Sequence, residues 1–440
     1  MIVVCKFGGS SLSCSTQFEK VKNIVLSDEQ RQVVVVSALG KRDKTDTKIT
    51  DLLYILGAHL KYNVGYDDIW NMFSSRFIAV KEELGLKYDI EGDLTALKNE
   101  LSSHIQTDYL VSRGEYFTAK LMSEYLGFTF VDAKDLISFD YDGKINYEVT
   151  EDKVNQAFAK YGKIIVPGFY GSFPNGTIKL LSRGGSDVTG SILAKSLNAS
   201  MYENWTDVSG VYAVDPRIVE NPRSIPQITY AELRELSYMG ANVLHEETVF
   251  PVQALNIPIN IKNTNDPNNP GTIIKQKCDD DTHIVTGIAG KKNFMSFNIF
   301  RDHMSNEIGF LRKVLSIFEK YKVSIEHIPS GIDSISVVCS KESCENYYYE
   351  IISDIKRELE AEVTLDEDIA LVAIVGRNMV KRSGLCGKVF TILGNAKINV
   401  KLLAQGPSEL NIIVGISEAD YEETIRSLYK DIVAWLIYKK

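Results

Sequence analysis

The second half of the chain carries two copies of one sequence pattern, and this repeat limits how that half can fold. Gly309 and five matched positions up to residue 318 have counterparts in Gly384 and five positions up to residue 393, at a constant offset of 75 residues (384 − 309). The same offset aligns residues 335–338 with residues 410–413. A constant spacing of apolar positions indicates two copies of one supersecondary unit. Alternating strand residues and helical i, i+3, i+4 spacing predict the order strand, helix, strand, strand, helix in each copy.

The first half of the chain alternates short runs of β-branched residues with helical patterns. Residues 33–36 and 164–166 read as strands, whereas residues 17–26 and 116–126 have helical spacing. This alternation predicts an α/β fold in which a mainly parallel sheet is flanked by helices. A largely helical region is predicted around residues 63–104.

The domain organisation follows from length and from one turn-rich segment. A chain of 440 residues exceeds what a single hydrophobic core usually holds. Residues 263–271 are dense in turn-forming residues and precede one more short strand, which predicts the end of the first domain soon afterwards. We therefore expect a first domain at residues 1–280 and the two copies of the repeat at residues 281–366 and 367–440, with the copies able to interleave.

Composition and charge narrow the class of protein. The chain has 44% hydrophobic and 24% charged residues, as ordinary globular proteins do. Its formal net charge of −9 argues against nucleic acid or an anionic membrane as the main partner. No apolar run approaches the ~20 residues that span a bilayer, and the amino terminus enters a strand directly, which predicts a cytoplasmic protein. The six cysteines lack Cys-x-x-Cys spacing, so we expect free thiols rather than a zinc or redox centre.

The first candidate site motif follows the opening apolar strand and consists of Lys6, Phe7, Gly8, Gly9 and Ser10. Adjacent glycines let backbone N–H groups approach an anion, the next segment can open a helix whose N-terminus favours negative charge, and the lysine adds a full positive charge. The run lacks the spacing of a P-loop. We interpret it as a phosphate cradle, with a simple tight turn as the alternative.

A second pair of glycines precedes a helical pattern over residues 188–197. The arginine before the pair offers a planar fork that suits a carboxylate or a phosphate. The alternative is an ordinary helix N-cap at the serine or aspartate, which requires neither the arginine nor two glycines. The motif consists of Arg183, Gly184, Gly185, Ser186 and Asp187.

A third motif follows a candidate strand at residues 199–203. In an open α/β sheet, ligands bind at loops beyond the carboxyl ends of the strands. We therefore expect this loop to lie close to the loops of the first two motifs. It contains Trp205, Thr206, Asp207, Tyr212 and Arg217.

Seven motifs in this order resemble those of the aspartokinases, within the wider amino-acid kinase family, and the resemblance extends over the whole chain. It implies an amino-acid kinase fold followed by two ferredoxin-like α+β ACT units, which the family carries in tandem as amino-acid sensors. Because the chain ends at Lys440, we expect the form without an appended dehydrogenase. Besides the three motifs above, the resemblance rests on Ser112-Arg113-Gly114-Glu115, Gly168-Phe169-Tyr170-Gly171, Asp215-Pro216-Arg217 and Gly240-Ala241-Asn242-Val243-Leu244-His245.

The resemblance implies ATP-dependent phosphorylation of the L-aspartate side chain to 4-phospho-L-aspartate, the entry to lysine, threonine and methionine synthesis. Such a transfer brings two anions together, so positioning and charge neutralisation dominate it. We expect Lys6 to stabilise transition-state charge and Asp187 to orient groups rather than remove a proton, because a carboxylate nucleophile is already ionised. Mg²⁺ is expected to be held mainly by the nucleotide phosphates, and we assign it no protein ligand.

The remaining site residues divide into a substrate set and a nucleotide set. Arg183 is expected to pair with the substrate α-carboxylate and Glu115 with its ammonium, the alternative for Glu115 being a carboxylate at a helix N-terminus. The substrate set also contains Thr50, Gly184, Gly185 and Ser186. In the nucleotide set, Asn242 stands where the family often has lysine, which puts one charged contact in doubt. The nucleotide set is Lys6, Phe7, Gly8, Gly9, Ser10, Thr206, Asp207, Tyr212, Arg217, Asn242 and Val243.

The loop before the first helix of the first ACT unit is where family members bind an inhibitor. Backbone groups at a helix start can hold an amino acid's α-carboxylate, and Glu326 in the next predicted strand can meet a side-chain ammonium. This pair favours lysine over threonine as feedback inhibitor, with a solvent-facing glutamate as the alternative. The predicted inhibitor-binding residues are Met304, Asn306, Glu307, Gly309, Phe310, Leu311, Ser324, Ile325 and Glu326.

Three other interpretations fit parts of the sequence. A kinase of the same fold acting on glutamate or another small acid is disfavoured by the third motif and the tandem repeat. A non-catalytic amino-acid sensor is disfavoured by the presence of Lys6, Arg183 and Asp187. The repeats alone also fit an apolar-faced dimerisation domain without a ligand. Because ACT units usually bind ligands across a two-fold interface, we expect a homo-oligomer, a dimer or a dimer of dimers.

Overall fold

The computed structural model describes residues 1–181, 184–241, 244, 246–278, 283–380 and 382–437. The chain forms two compact units. The first unit comprises Met1–Val211, Ser224–Tyr230 and Val243–Cys278. The second unit comprises Tyr212–Arg223, Ala231–Asn242 and Asp279–Lys440.

Strands and helices alternate along the first unit, and long strands dominate the second. None of the described helices is long and apolar enough to cross a membrane. The strands are β1 (Val3–Phe7), β2 (Arg31–Val36), β3 (Thr129–Phe130), β4 (Ile164–Pro167), β5 (Tyr170–Ser172), β6 (Ile178–Leu180), β7 (Met201–Thr206), β8 (Val211–Tyr212), β9 (Ser224–Ile225), β10 (Gln227–Thr229), β11 (Ile259–Asn263), β12 (Thr272–Lys275), β13 (Gly287–Phe300), β14 (Ser334–Ser340), β15 (Glu362–Val375), β16 (Leu402–Ala404) and β17 (Asn411–Ile416). The helices are α1 (Ser15–Leu26), α2 (Ile49–Lys61), α3 (Asp67–Leu84), α4 (Ile90–Glu100), α5 (Thr107–Leu126), α6 (Ala133–Leu136), α7 (Tyr147–Tyr161), α8 (Gly185–Ser196), α9 (Tyr230–Tyr238), α10 (Glu246–Gln253), α11 (Phe310–Lys320), α12 (Lys341–Cys344), α13 (Tyr348–Leu359), α14 (Leu385–Asn395) and α15 (Tyr421–Ile437).

The first unit is built on an eight-stranded sheet with the strand order β10-β12-β11-β7-β1-β2-β4-β3. Among its described strand pairs only β11 with β12 is antiparallel, so the sheet is mainly parallel. Residues 33–36 of β2 are all buried, because helices cover both faces of such a sheet. The predicted α/β fold class is confirmed.

The predicted helical region around residues 63–104 forms α3 and α4. Phe73 and Phe77 of α3 pack against each other and against Phe117 of α5, with ring centroids 5.2 to 6.2 Å apart. Arg76 lies on the same helix and is also buried. Its guanidinium donates to the backbone carbonyls of Thr47 and Gly40, so α3 holds the loop that follows β2.

The second unit contains a five-stranded antiparallel sheet with the order β14-β13-β15-β17-β16. β13 and β15 are 14 residues long, and residues 287–291 pair with 371–375 while residues 294–300 pair with 362–369. The two copies of the repeat therefore share two long strands. Gly309 and Gly384 precede α11 and α14 with φ values of 84° and 85°, a left-handed conformation that favours glycine. The predicted α+β class of this half is confirmed.

One predicted strand of the first ACT unit does not form. Glu326 was predicted to lie in a strand, but residues 323–328 are irregular and are joined to β14 by one isolated bridge, between His327 and Val338. The N–H of Glu326 donates to the carbonyl of Val338 at 2.8 Å. Pro329 follows directly and has no N–H to continue a ladder, which accounts for the interruption. In the second copy a short strand, β16, forms at residues 402–404, the equivalents of residues 327–329.

All six cysteines are free thiols. Cys339 and Cys344 are both buried, and their sulfur atoms lie 3.4 Å apart at the end of β14 and in α12. Within the described residues, no group of three or more His, Cys, Asp or Glu side chains could hold a metal ion.

Candidate active site

Lys6 and Asp187 form an ion pair at the carboxyl end of the central strand. The Nζ atom of Lys6 lies 2.5 Å from Oδ1 of Asp187, and Lys6 is only 7% exposed. Lys6 is the fourth residue of β1, and Asp187 is the third residue of α8. Two motifs that are far apart in the sequence are therefore in direct contact.

The first glycine pair allows two chain segments to approach closely. The N–H of Gly8 donates to the carbonyl of Trp205 at 3.0 Å, and the N–H of Gly40 donates to the carbonyl of Gly9 at 2.9 Å. A Cβ atom on Gly40 would lie 2.2 Å from the Gly9 carbonyl oxygen, so this contact requires glycine. The loops that follow β1, β2 and β7 are thus held together at one edge of the sheet.

The helix predicted at residues 17–26 forms as α1, but it does not begin directly at the first glycine pair. A single 3-10 turn, Gly9–Leu12, follows Gly8, and α1 begins at Ser15. The chain is extended at Cys14, the residue before α1, which separates the turn from the helix. Ser10 is exposed at the start of this turn.

The second glycine pair starts α8. Gly184 precedes the helix with φ 74°, and Gly185 is its first residue. The N–H of Asp187 donates to the carbonyl of Gly184 at 2.8 Å, and the carboxylate turns towards the lysine, so the alternative of an aspartate or serine N-cap is wrong. Ser186 packs against Gly168, where an added Cβ atom would lie 2.7 Å from the serine Cβ. The start of α8 therefore lies against the loop after β4.

Glu115 is a buried carboxylic acid in the middle of α5, with 3% of its surface exposed. The predicted alternative, a carboxylate at a helix N-terminus, is wrong because α5 begins at Thr107. Burial raises the pKa of Glu115 to about 8, although a hydrogen bond from the Ala38 backbone and the nearby Arg113 oppose the shift. Its Oε2 atom is buried and has no hydrogen-bond partner among the described residues. A buried carboxylate oxygen without a donor is costly, and a ligand ammonium would supply the donor.

The other predicted residues of the first unit lie near the same edge of the sheet. Thr50 is half-buried and is the second residue of α2. Trp205 and Thr206, predicted in a loop, belong to β7, because Trp205 is buried and stacks on Phe7 with ring centroids 5.9 Å apart. The Thr206 hydroxyl donates to Oδ1 of the exposed Asp207 at 3.2 Å.

Two predicted nucleotide residues belong to the second unit. Tyr212 lines a cavity of about 530 Å³ together with Pro216 and Glu220. Arg217 is largely exposed, and its guanidinium lies 2.6 Å from the carboxylate of Asp215, which lowers the pKa of that carboxyl group. Arg183, Asn242 and Val243 lie outside the described residues, so their roles stay predictions.

Sequence reasoning missed Asn204. This residue is buried in β7, and its side-chain amide donates to Oδ1 of Asp187 at 3.0 Å. Two signals could have revealed it. Asparagine is uncommon in strand interiors. Asn204 also stands directly before Trp205 of the third motif, one residue after the predicted end of the strand.

The predicted inhibitor residues separate into two groups. Ser324, Ile325 and Glu326 line a cavity of about 810 Å³ with Glu319 and Lys322. The described lining of this cavity includes no residue between 304 and 311. Those residues lie in a 3-10 turn and the first turn of α11, and they are Met304, Asn306, Glu307, Gly309, Phe310 and Leu311.

The two predicted glutamates of this region already have partners. The carboxylate of Glu326 accepts a hydrogen bond from the hydroxyl of Tyr238, at the end of α9. Glu307 is paired with Arg301 at 2.7 Å and with Lys313 at 2.5 Å. Glu326 is therefore not simply a solvent-facing residue, because it has a partner within the second unit.

Comparisons with known proteins match both halves of the chain. The amino acid kinase family matches residues 1–263, and an ACT domain matches residues 372–432. Aspartokinase 3 of Bacillus subtilis is 36% identical over 450 aligned positions, which cover 99% of each chain. The crystal structure of Clostridium acetobutylicum aspartate kinase superposes with a TM-score of 0.90 at 45% identity and covers 98% of this chain and 99% of that one.

A second solved structure includes ligands. Escherichia coli aspartokinase III in complex with aspartate and ADP superposes with a TM-score of 0.76 at 27% identity, covering 98% of this chain and 100% of that one. The same enzyme has also been solved in complex with lysine and aspartate. These matches extend over the kinase fold and the ACT fold together. The chain belongs to the aspartokinase family, within the amino acid kinase family.

Proposed function

We propose that the chain transfers the γ-phosphoryl group of ATP to the side-chain carboxylate of L-aspartate and forms 4-phospho-L-aspartate. The observation that carries this proposal is the buried Lys6–Asp187 pair beside the two glycine pairs. The E. coli relative that holds aspartate and ADP supports the choice of both substrates. The product enters the synthesis of lysine, threonine and methionine.

The described residues suggest separate roles at the phosphates for Lys6, for backbone N–H groups and for Asp187. Lys6 neutralises charge on the phosphoryl group as it moves between two anionic oxygens. The N–H of Gly8 donates to the carbonyl of Trp205. We therefore propose that Gly9 and Ser10 make the backbone contacts with the phosphates. Asp187 orients the ammonium of Lys6, because an ionised substrate carboxylate requires no general base.

Substrate binding is proposed to use opposite charges at the two invariant groups of an amino acid. Glu115 meets the substrate ammonium through its unpartnered oxygen, and Arg183 pairs with the α-carboxylate. Thr50 and the start of α8, Gly184 to Ser186, are proposed to contact the substrate as well. Thr206, Asp207, Tyr212, Arg217, Asn242 and Val243 are proposed to contact the nucleotide.

Removal of Mg²⁺ is expected to abolish turnover. The ion would neutralise phosphate charge and would be held by the nucleotide, because the described residues contain no acidic cluster of metal-binding size. Excess EDTA should reduce the rate to background, and added Mg²⁺ should restore it. Calorimetric titration of the protein with Mg²⁺ alone should show no binding tighter than roughly millimolar. A tight site without nucleotide would show that the protein itself holds the ion.

The proposed reaction is tested by trapping its product. The full chain is incubated with ATP, Mg²⁺ and L-aspartate, and hydroxylamine converts the acyl phosphate to a coloured hydroxamate. Aspartate should give product, whereas L-glutamate in a parallel reaction should give little. Product from glutamate alone would favour a different small-acid kinase of this fold. Aspartate binding without any turnover would favour a non-catalytic sensor.

Regulation by lysine is proposed through the ACT units. The cavity at Glu326 also contains the carboxylate of Glu319, and two carboxylates attract an ammonium better than a hydroxyl. The E. coli structure with bound lysine supports the same choice. We also propose a homo-oligomer that forms through these units, because Ile308 is fully exposed and Ile332 is 74% exposed near α11.

Glu326→Gln is expected to raise the lysine concentration for half-maximal inhibition at least about tenfold, because an ammonium loses its charged partner. Tyr238→Phe should lower that concentration, since the tyrosine hydroxyl no longer occupies the carboxylate. Glu342→Gln, an exposed change in α12 outside the cavity, serves as the control and should leave inhibition unchanged. Inhibition by threonine and not by lysine would refute the assignment.

A further inference from the structure

We propose that Asn204 is a positioning residue for the phosphoryl transfer. Its side-chain amide holds the carboxylate of Asp187 in the orientation from which Lys6 is presented to the transferred phosphoryl group. The inference rests on the proposed function, because that function assigns the lysine and the aspartate to the reaction. It adds a residue that neither the motifs nor the comparisons indicate.

One carboxylate oxygen of Asp187 has two donors. Oδ1 of Asp187 lies 2.5 Å from Nζ of Lys6 and 3.0 Å from Nδ2 of Asn204. Asn204 is register partner of Lys6 across the parallel strands β7 and β1. Side chains of paired residues project from the same face of a sheet, so the two donors reach the aspartate side by side. Asn204 is 4% exposed, which keeps its amide away from competing water.

β7 holds both the backbone and the side chain of Asp187. Tyr202 and Asn204 are two residues apart in β7 and share one face. The Tyr202 hydroxyl donates to the backbone carbonyl of Asp187 at 3.0 Å. Gly190 allows α8 to lie on this face, because a Cβ atom there would come within 2.6 Å of the tyrosine ring. The strand therefore fixes the position of the aspartate relative to β1.

The donor, the side-chain amide of Asn204, carries no charge. Only the nitrogen end of the amide can face a carboxylate, because the oxygen end would repel it. A neutral donor leaves the net charge of the Lys6–Asp187 pair unchanged, whereas a cation at position 204 would compete with Lys6 for the carboxylate. When the lysine ammonium turns towards the phosphoryl oxygens, Oδ1 keeps a hydrogen bond to Asn204. The aspartate then stays in place during the transfer.

The primary test is Asn204→Leu, which keeps the branching at Cγ and removes the donor. We expect kcat to fall by about 10- to 100-fold, as for loss of one hydrogen bond to a charged group, with KM for both substrates within about twofold. Asn260→Leu is the matched control. Asn260 is a buried asparagine on the neighbouring strand β11, in register with Glu203 and thus on the opposite face. The Asn260→Leu variant should therefore have an unchanged kcat.

A double-mutant cycle separates positioning from general stability. In an Asp187→Asn background, Asn204→Leu should cause no further loss of kcat, because the carboxylate that it orients is gone. If the leucine variant does not fold, Asn204→Asp keeps the shape and is expected to lose kcat most at high pH and to regain it as acid restores an O–H donor.

The outcomes are distinct. An unchanged kcat in Asn204→Leu, or an equal loss in both backgrounds, overturns the positioning role while the proposed function stands. A pH-independent loss in Asn204→Asp overturns it as well. A wild-type chain that forms no aspartyl hydroxamate overturns the proposed function and this inference together.

Discussion

Lys6→Ala is expected to lower kcat of the aspartate-dependent reaction by about a thousand-fold. Lys6 is the cation that the structure places at the carboxyl end of β1, paired with Asp187 and almost fully buried. In a water-poor site a positive charge stabilises the moving phosphoryl group far more than it would in solution. Because this stabilisation is largest in the transition state, KM for ATP and aspartate should change much less than kcat. Initial rates over both substrate concentrations give the two parameters.

The control for this variant is Lys87→Ala, which removes an exposed lysine of the same unit. It should retain the wild-type rate. Asp187 keeps its hydrogen bond from Asn204 in the Lys6 variant, so we expect that variant to stay folded, as circular dichroism and thermal melting can show. A folded Lys6→Ala protein with near wild-type turnover would exclude Lys6 as the group that stabilises the transfer.

Glu115→Gln is expected to raise KM for aspartate by about a hundred-fold. The glutamate carries a buried oxygen without a hydrogen-bond partner in the described part of the chain, and the proposed partner is the substrate ammonium. A neutral amide cannot offer the same charge to that ammonium. KM for ATP should change little, since the nucleotide is proposed to bind other residues. The same steady-state measurements test both expectations.

The raised pKa of Glu115 adds a pH signature. Its ordinary value is 4.5 and burial raises its pKa to about 8, so between these values the folded chain binds the proton that the unfolded chain has lost. The stability that this group contributes is therefore fully present below about pH 4.5 and is lost as the pH rises through 8. At pH 9 the free Glu115→Gln protein should melt at a higher temperature than the wild type, because glutamine does not ionise.

Ligand binding should reverse this protonation. At pH 7 the ammonium of aspartate requires an ionised Glu115, so binding is expected to release up to one proton. Calorimetry in two buffers with different ionisation enthalpies measures that number. Glu83→Gln, an exposed change in α3, is the control and should leave proton release and melting unchanged. Binding with no proton release in the wild type would contradict the proposed contact.

Local chemistry was enough to predict the fold class and the principal pair of the site. Strand runs and helical spacing predicted the parallel sheet, since hydrophobic periodicity is a local property of the chain. Lys6 and Asp187 were both recognisable because each lies beside a pair of glycines. The repeat at residues 309 and 384 was visible for the same reason, and it became two helices that start on left-handed glycines.

The errors arose where distant contacts override local preference. β7 runs through Trp205 and Thr206 because the indole is buried against Phe7, which no local pattern reveals. Glu326 was predicted to lie in a strand, yet Pro329 interrupts the ladder and leaves only isolated bridges to β14. The sequence also did not reveal the single 3-10 turn that lies between the first glycine pair and α1.

The amino-acid sequence by itself determined which chemical groups this protein has for phosphoryl transfer and which elements carry them. The tertiary structure decided which atoms meet. It placed Asn204 on the same oxygen that Lys6 contacts, and it buried Glu115 so deeply that the pKa of its carboxyl group rises to about 8. Residue type and periodicity are properties of short stretches of sequence. Strand register, burial and desolvation depend on residues that are distant in the chain.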